Sequence, residues 1–443
     1  MNFMTVSSRL LLLLLMLSTP SLAADTFEIG PDQDLAKVFA RIPPGTNVVL
    51  QPGTYAIDGN LSLRASGTPN EPIRVAALSP GSVLLRQATD RHNVLEIRDS
   101  SHLVLSGLRI TGGSHGIRLI NSDFVTIEET EIYATGDVAL SANAGGTYEN
   151  LVIRRNHIHH TGGTGEGMYL GCNNDECRVA NSVIEDNYVH HTDGPSVQQG
   201  DGIELKEGSY GNVIQRNRIH NTRYPGILVY GTRGNGAANV IEGNIVWASG
   251  DNTVQIAANA DFRNNVVLGN VAIQPHQNSR PANIRLTHNT IIHSRTALSI
   301  RGSVGRIDVA NNAIFSQSHA IRVIGTGRRH VFAVGNVGVG RTVGLSTGFS
   351  ESGGTQVDLV EGHFGGEPPI NLTPRPGSRL IGAGSPDFAL ARDFRGCSRM
   401  RSVDVGALHG DQGGEQVRLA AFDRRGVTLL CFPDTPSAWI EQL

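Results

Sequence analysis

A short phrase recurs at a regular interval through the middle of the chain. Each copy has two aliphatic residues, two variable residues, an Asn, one more variable residue and then Ile or Val. A unit with so few apolar residues cannot bury a core alone, so successive units must stack on one another. The repeat therefore predicts a solenoid. The clearest copies are residues 152–158, 183–189, 213–219 and 240–246, and weaker copies carry Asn265, Asn289 and Asn312.

The repeat is predicted to consist of β-strands. Apolar and polar residues alternate within each copy, as in a strand with one buried face. A second apolar segment that begins with Gly follows each Asn copy, as in residues 167–170, 202–205 and 226–229. Gly, at 53 of 443 residues, and Asn both disfavour long helices. Asn tolerates the left-handed backbone of a turn, and Asn side chains stacked at one coil position can hydrogen-bond along the axis.

The spacing of the repeat Asn residues indicates where the coils widen. Asn265, Asn289 and Asn312 are 24 and 23 residues apart, which suits a coil of three short strands. Between Asn156 and Asn244 the intervals lengthen to 31, 30 and 27 residues. Insertions at one stage of a solenoid repeat project from one face, so these are expected to wall a groove. The additional residues fall within 160–166, 191–201 and 221–226.

This arrangement closely resembles the right-handed parallel β-helix proteins of the pectin-lyase-like superfamily. Residues 43–55 (PPGTNVVLQPGTY) and 67–73 are similar to the first coils of exported carbohydrate-active members. Residues 392–396 (RDFRG) and 403–407 (VDVGA) are similar to their closing segment. The resemblance implies an all-β, single-stranded right-handed parallel β-helix with a ligand groove on a sheet face. We expect an N-terminal cap and first coils at 24–93, regular coils at 94–340, and irregular coils with a tail at 341–443.

The N-terminus is predicted to direct export. Arg9 precedes an apolar run over residues 10–17, and residues 21–23 (SLA) fit a signal-peptide cleavage site. The run is shorter than the ~20 residues of a membrane span. Residues 1–23 are therefore interpreted as a signal peptide, and the mature protein is expected to be periplasmic or secreted, with no membrane span.

Export also permits disulfide bonds. Cys172 and Cys177 bracket four residues, which suits a staple across a loop. Cys397 and Cys431 would then tie down the C-terminal tail. Four cysteines allow three pairings. A zinc site is the alternative, although no His lies at zinc-finger spacing.

Alignment of the widened coils predicts which side chains meet in the groove. We set Ile203 beside Met168 and Ile227, with all three pointing inward. Neighbouring strands lie ~4.8 Å apart, so polar residues from three coils then converge on one wall. The predicted groove residues are Glu166, Tyr169, Asp201, Glu204, Lys206 and Tyr230, with Arg223 close by.

Lys206 is distinctive because Lys37 is the only other lysine of the chain. Its ordinary interpretation is a solvated ion pair that contributes little stability. A Lys amine can also lose its proton where an Arg cannot. In a β-elimination, a base removes the proton α to a uronate carboxylate, a cation stabilises the enolate and an acid assists the leaving oxygen. Lys206 is the candidate base, with Tyr230 or Arg223 as the acid or charge stabiliser. A hard-oxygen site for Ca²⁺ would come from Glu166, Asp201 and Glu204.

A narrower resemblance concerns residues 201–206 (DGIELK) and 212–217 (NVIQRN). They are similar to a segment of the alginate lyase and chondroitinase B family. The resemblance implies that Lys206 matches the catalytic lysine and that an acidic Ca²⁺ ligand falls near Asp201. Where that family has Arg-His-Gly on the next coil, this chain has Val-Tyr-Gly at 229–231. Arg223 or Tyr230 would therefore substitute for the family's arginine.

Histidines form a further pattern. His159, His190 and His220 each follow a repeat Asn by three residues, and His160 and His191 take the next position. Stacked imidazoles could bind a transition metal or supply an acid or base near neutral pH. Alternatively, they only form the turn of the coil. The longest insertion follows His190 and His191, so these two join the predicted substrate contacts, which are Tyr169, Glu204, His190 and His191.

Composition limits the partners. A net charge of −3 gives no basic excess, which argues against a nucleic-acid binder. We predict an exported polysaccharide lyase that cleaves an acidic, uronate-containing glycan and acts as a monomer. One alternative is a non-catalytic glycan-binding β-helix. The other is a glycoside hydrolase or epimerase on the same fold, and a hydrolase would use Asp201 with Glu204 or Glu166.

Overall fold

The computed structural model describes residues 25–368, 371–399 and 402–410. The predicted signal peptide, residues 1–23, lies outside the described residues. The described chain winds into a parallel β-solenoid of about 13 turns, and each regular coil contributes strands to three parallel sheets. Every pairing between named strands of successive coils is parallel in the described residues, as the family resemblance implied.

Sheet 1 contains the strand that precedes each turn of the repeat. Its 13 strands are Thr26–Ile29, Asn47–Leu50, Ile73–Ala77, Ser101–Ser106, Asp123–Glu128, Val152–Arg154, Val183–Glu185, Val213–Gln215, Asn239–Glu242, Ala260–Arg263, Ile284–Thr287, Ile307–Ala310 and Val331–Val334.

Sheet 2 contains the strand that follows the turn. Its strands are Gly53–Ile57, Val83–Gln87, Leu108–Gly112, Glu131–Tyr133, His157–His159, Tyr188–Thr192, Arg218–Thr222, Ile245–Ser249, Val266–Leu268, Thr290–His293, Ala313–Ile324, Asn336–Val343 and Phe349–Glu351.

Sheet 3 contains the short strands that begin after the insertions. Its strands are Leu61–Leu63, Leu95–Arg98, Ile117–Ile120, Leu140–Ala142, Met168–Leu170, Ile203–Leu205, Ile227–Val229, Val254–Ile256, Val271–Ile273 and Thr296–Arg301. Sheets 2 and 3 merge in the last coils, because Ala313–Ile324 is long enough to pair with Thr290–His293 and with Thr296–Arg301.

Few other elements occur in the described ranges. Gly146–Glu149 pairs with Cys177–Ala180 in a separate two-stranded sheet. The α-helices are Leu35–Phe39 and Thr355–Asp358, and the 3₁₀ helices are Asn173–Asp175, Arg328–His330 and Pro386–Phe388. All of these helices are too short to cross a bilayer.

One hydrophobic core extends along the inside of the coils. It is built from the inward residues of the three sheets, mostly Ile, Leu and Val. Helix Leu35–Phe39 covers the first end of this core, where Phe39 is fully buried. The cap keeps the apolar interior of the first coil out of water, which a solenoid needs at each end.

The repeat Asn residues form a continuous buried ladder. Asn187 Nδ2 donates to Ile153 O at 2.8 Å and to Asn217 Oδ1 at 2.9 Å, and Asn217 Nδ2 repeats this pattern toward Asn244. The prediction that these Asn residues take left-handed backbone angles is wrong. The preceding residue takes them, as in Asp186 with φ of 55°, because the Asn side chain must point inward to bond the next coil.

One predicted disulfide falls within the described residues and is confirmed. Cys172 is bonded to Cys177 and closes a short loop after the sheet 3 strand Met168–Leu170. The other predicted pair, Cys397 with Cys431, includes Cys431, which lies outside the described residues.

Candidate functional site

Sheet 3 aligns the predicted groove residues in the expected register. Ile203 pairs with Met168 in the preceding coil and with Ile227 in the following coil, and all three are fully buried. Successive residues of a strand point to opposite faces. Glu204 therefore stands on the outer face beside Tyr169, with which it pairs directly.

Lys206 and Tyr230 occupy the same position in consecutive coils, just after their strands. The Lys206 N–H donates to Leu170 O, and the Tyr230 N–H donates to Leu205 O. The preceding coil has Gly171 at this position, with φ of 97°. A Cβ built on Gly171 would lie 3.0 Å from Lys206 Cβ, so the glycine leaves room for the lysine side chain.

The Lys206 ammonium makes close contacts with an acid and two phenols. Nζ donates to Glu204 Oε1 at 2.7 Å and to Tyr230 Oη at 3.2 Å. It also lies 4.5 Å from the ring centre of Tyr169 and 4.8 Å from that of Tyr230, within range of cation–π attraction. The Tyr230 hydroxyl donates to the same Glu204 oxygen at 3.0 Å. Lys206 is only 3% exposed, so these contacts replace most of its hydration.

His276 completes this group. Its Nε2 lies 2.9 Å from Tyr230 Oη, and its ring meets the Tyr230 ring edge-on. The sequence pattern did not predict this residue, which lies on the loop after Val271–Ile273. The interval between Asn265 and Asn289 is regular, so no insertion marks the loop. The available signal was the short polar stretch beside Pro275, directly after a sheet 3 strand.

Burial and neighbouring charges determine the protonation states of Lys206, Tyr230 and His276 in the ligand-free site. Burial alone would lower the pKa of Lys206, but the Glu204 carboxylate and Tyr169 outweigh it, and the pKa is raised. Burial and the Glu204 charge raise the pKa of Tyr230. Burial lowers the pKa of His276. The resting site therefore holds an ammonium, a neutral phenol and a neutral imidazole near neutral pH.

Three carboxylates from two coils converge beside Lys206. Oxygens of Glu166, Asp201 and Glu204 lie within 4.8 Å of one another, and each residue is at most 1% exposed. Burial and the neighbouring carboxylates raise the pKa of Asp201. The pKa of Glu166 rises to about 6, chiefly because of burial, although Thr164 Oγ1 donates to it at 2.6 Å.

Each of the three carboxylates has one buried oxygen without a hydrogen-bond partner. These are Glu166 Oε1, Asp201 Oδ1 and Glu204 Oε2. Unpaired buried carboxylates are costly unless they are protonated or coordinate a cation. An all-oxygen donor set is the kind that Ca²⁺ and Mg²⁺ prefer. The residues thus fit a hard divalent cation.

Lys206, Glu204, Asp201, Tyr230 and His276 line a cleft of about 550 Å³. Two loops meet at one side of it, where Gln277 Nε2 donates to Asn173 Oδ1 at 3.1 Å and Asn278 Nδ2 donates to Asn174 Oδ1 at 3.2 Å. The disulfide at Cys172 closes the first of these loops. Besides the ionisable residues, the lining contains amides and an exposed ring, contributed by Gln199, Gln255, Gln274 and Tyr224.

Four predicted site residues lie outside this cleft lining, namely Glu166, Arg223, His190 and His191. Glu166 still contacts the site through its cluster with Asp201 and Glu204. Arg223 is exposed and borders a neighbouring shallow depression together with Asp193. His190 and His191 belong to the strand Tyr188–Thr192 of sheet 2, whereas the cleft is built on sheet 3. The insertion that follows the two histidines turns the chain from one sheet to the other, so they do not face Lys206.

Comparison with known proteins supports the fold. A family profile described as "Right handed beta helix region" matches residues 92–267. Among solved structures, an alginate lyase from Paenibacillus sp. str. FPU-7 is 22% identical, with a TM-score of 0.51, and the match covers 70% of this chain and 100% of that one. Pectate lyase Pel9A is 14% identical, with a TM-score of 0.50, and the match covers 87% and 96% of the two chains. No curated protein sequence matches the chain.

Likeness at these identities concerns the fold alone. The family profile covers the coils of Lys206 and Tyr230 but ends before His276, and the parallel sheets extend well beyond it on both sides. The fold predicted from the repeats and the resemblance is confirmed: the described residues form a right-handed parallel β-helix.

Proposed function

We propose that this protein is a polysaccharide lyase that cleaves an acidic, uronate-containing glycan by β-elimination in the cleft on sheet 3. The main support for this proposal is that an amine, a phenol and a carboxylate converge in the cleft. Lys206 Nζ, Tyr230 Oη and Glu204 Oε1 lie within 3.2 Å of one another. Glu204 is also one of the three buried carboxylates that suit a hard cation.

The reaction assigns one proton transfer to each of two side chains. Lys206 Nζ, once neutral, takes the proton from the sugar carbon α to the carboxylate. Tyr230 Oη gives its proton to the glycosidic oxygen as the bond to that oxygen breaks. A carbon–carbon double bond then remains at the new non-reducing end. His276, within 2.9 Å of Tyr230 Oη, is suited to return a proton to the phenol.

Glu166, Asp201 and Glu204 are the residues that would hold Ca²⁺. When bound, the ion would attract the substrate carboxylate and offset the negative charge of Glu204. Glu204 is the main group that keeps the proton on Lys206, because it outweighs the effect of burial. Neutralising that carboxylate would therefore lower the pKa of Lys206 toward the range of a working base.

Substrate positioning would come from the cleft lining. Tyr169 offers a ring beside Lys206, and Gln255 and Gln274 offer amides, with Gln274 Nε2 donating to Gln255 Oε1 at 2.8 Å. Amide and aromatic side chains are well suited to sugar hydroxyls and sugar faces. Arg223, His190 and His191, which do not line the cleft, have no role in this proposal.

The proposed compartment is outside the cytoplasm. The signal-peptide pattern at residues 1–23 supports export, as does the cysteine pair at 172 and 177, because disulfides persist in oxidising compartments. Alginate and pectate are the first candidate substrates, since the similar structures are named as an alginate lyase and a pectate lyase.

Ultraviolet absorbance of the unsaturated uronate end tests the proposal. The purified protein is incubated with Ca²⁺ and a panel of acidic glycans, including polymannuronate, polyguluronate and pectate. The control is each glycan after chemical reduction of its carboxylates to alcohols, which removes the acidity of the α proton. New absorbance with an acidic glycan and none with its reduced form is expected. Binding of an acidic glycan without product on the whole panel would refute the lyase and favour a glycan-binding protein.

A further inference from the structure

A second group of metal-ligand side chains lies on sheet 2, a different sheet from that of the cleft. Glu131 pairs with His157 in the next coil, and His159 lies two positions further along the same strand. Ile158, between the two histidines, is fully buried. Because strand residues alternate between faces, Glu131, His157 and His159 all stand on the outer face.

The donor atoms of this trio are close to the separations that a metal requires. His159 Nε2 lies 3.3 Å from Glu131 Oε1, and His157 Nδ1 lies 3.8 Å from the same oxygen. The three donors all fall within 4.8 Å of one another. Tetrahedral zinc with ligands at about 2.0–2.1 Å separates them by ~3.4 Å. Small side-chain rotations would bring the three atoms onto one ion.

Each imidazole of the trio has its other nitrogen next to a further histidine. His157 Nε2 lies 2.8 Å from His190 Nε2, and His159 Nδ1 lies 2.7 Å from His160 Nδ1. Histidines that bind a metal usually hydrogen-bond through the second nitrogen, which fixes the tautomer and the ring orientation. If His157 and His159 donate in these contacts, their remaining nitrogens present lone pairs toward Glu131.

The Glu131 carboxylate is also oriented by a hydrogen bond through its second oxygen. Arg109 Nε donates to Glu131 Oε2, which leaves Oε1 turned toward the two imidazoles. The side chains of Glu131, His157 and His159 are 27%, 34% and 13% exposed, so an ion could enter from solvent. A water molecule could then take a fourth position, as in exchangeable zinc sites with three protein ligands.

Ring stacking alone does not account for this geometry. His159, His190 and His220 stack at 5.1 Å intervals, and Trp247 continues the stack. Such a stack uses the faces of the rings and needs no acid. Glu131, by contrast, places Oε1 3.3 Å from a ring nitrogen, His159 Nε2, and 3.8 Å from another, His157 Nδ1.

We propose that Glu131, His157 and His159 form a binding site for a first-row divalent transition metal, represented by Zn²⁺. Two imidazoles and one carboxylate are ligands of the borderline type that Zn²⁺ accepts and Ca²⁺ does not favour. The site is independent of the proposed lyase cleft, because it uses another sheet and another class of ligand.

Calorimetric titration with Zn²⁺ tests this site without any activity measurement. Tag-free full-length protein is first freed of metals and then saturated with Ca²⁺, so that the carboxylates of the cleft are occupied. One Zn²⁺ per chain is expected for the wild type. Glu131→Gln and His157→Gln should each weaken Zn²⁺ binding at least about 10-fold. His363→Gln, which alters an exposed histidine elsewhere, is the matched control and should leave binding unchanged.

The visible absorption spectrum of bound Co²⁺ provides a second test of coordination by Glu131, His157 and His159. Co²⁺ in a four-coordinate site with two nitrogen ligands gives visible absorption bands that are weak or absent in a hexahydrate. The wild type and His363→Gln should show these bands, and both trio variants should lose them while keeping the wild-type circular dichroism spectrum. Zn²⁺ binding of equal affinity in the wild type and in both trio variants, or no Zn²⁺ binding at all, would overturn the proposal.

Discussion

Lys206 Nζ lies 2.7 Å from Glu204 Oε1; Glu204 belongs to the sheet 3 strand Ile203–Leu205, and Lys206 directly follows that strand. This short contact between buried groups explains why the amine remains protonated despite its loss of hydration. It also links the candidate base to the cation site, because Glu204 belongs to both. A change of charge at Glu204 is therefore expected to alter the reactivity of Lys206.

Replacement of Tyr230 by Phe tests the role of the Tyr230 hydroxyl as the general acid, independently of the other site residues. The variant keeps the ring over Lys206 and removes the hydroxyl that bonds Glu204 and His276. General acid catalysis typically contributes about 100-fold or more. We expect kcat on the best acidic glycan to fall by at least that factor, with little change in KM.

Tyr224→Phe is the matched control for this change. Tyr224 lines the mouth of the same cleft and is 42% exposed. Its variant should keep activity within a few-fold of the wild type. Equal activity of the Tyr230 and Tyr224 variants in steady-state assays would remove Tyr230 from the mechanism.

Divalent cation binding should depend on pH through the buried carboxylates. The pKa of Glu166 rises to about 6 and that of Asp201 is also raised, so both favour the protonated form in the folded, cation-free protein. Their contribution to stability is present below their unfolded pKa values, 4.5 for Glu166 and 3.8 for Asp201, and is lost as the pH rises through the folded values. Ca²⁺ binds the ionised forms, so it should raise Tm more at about pH 7.5 than at about pH 5.

Thermal unfolding with Ca²⁺ or with a chelator measures this effect. Glu166→Gln should remove much of the difference between the two pH values, since the amide neither titrates nor carries charge. Glu361→Gln, at an acid near the C-terminal coils, serves as the control. An identical Ca²⁺-induced shift at both pH values in the wild type would contradict the assignment of the cation to these carboxylates.

The Asn ladder should be a major source of stability in the central coils. Asn217 Oδ1 accepts from the backbone N–H and the side chain of Asn187, and its Nδ2 donates to Ile184 O. Asn217→Ala leaves several buried groups unpaired, which should lower the free energy of unfolding by about 3 kcal/mol.

The Asn217→Asp variant distinguishes the contribution of hydrogen bonding to stability from that of side-chain volume. The carboxylate has almost the same size, but it cannot donate to Ile184 O or to Asn244 Oδ1. Chemical denaturation should therefore show a loss at least as large as that of the Ala variant. A near-wild-type Asp variant would mean that packing, and not the ladder, holds the coils together.

The Cys172–Cys177 disulfide should reduce the mobility of the two loops that meet at one side of the cleft. Reduction, or replacement of Cys172 and Cys177 by Ser, frees a short loop whose closure is worth about 2 kcal/mol in chain entropy. Asn173, which accepts from Gln277, lies within that loop. Faster hydrogen exchange is expected in residues 173–177 and 274–278, with a higher KM and a nearly constant kcat. Unchanged exchange in residues 274–278 after loss of the disulfide would show that the two loops are not coupled.

The sequence predicted the register of the site because strand geometry is regular. Once Met168, Ile203 and Ile227 are aligned, the period of two places Glu204 beside Tyr169 without further information. The turn chemistry was less predictable. Arg155 and Asp186, not the Asn residues that follow them, take the left-handed backbone, because the buried ladder determines where the Asn side chains point.

The positions of side chains on loops could not be predicted from the repeat. His276 reaches Tyr230 from a loop two coils beyond it, and nothing in the repeat spacing indicates that contact. Arg223 was expected near Lys206 from its position in an insertion, but it projects from the coil and remains exposed. The protonated state of Lys206 likewise depends on a single contact with Glu204, which a pattern of residue types does not reveal.

The most direct test of the account is the rate of unsaturated product formation by Lys206→Arg. Arginine keeps the positive charge beside Glu204 but cannot act as a base. Lys37→Arg is the matched control, since Lys37 is the only other lysine and is exposed on the N-terminal helix. The account predicts a loss of at least about 100-fold for Lys206→Arg and none for Lys37→Arg, with equal Tm values. Activity of Lys206→Arg within a few-fold of the wild type would contradict it.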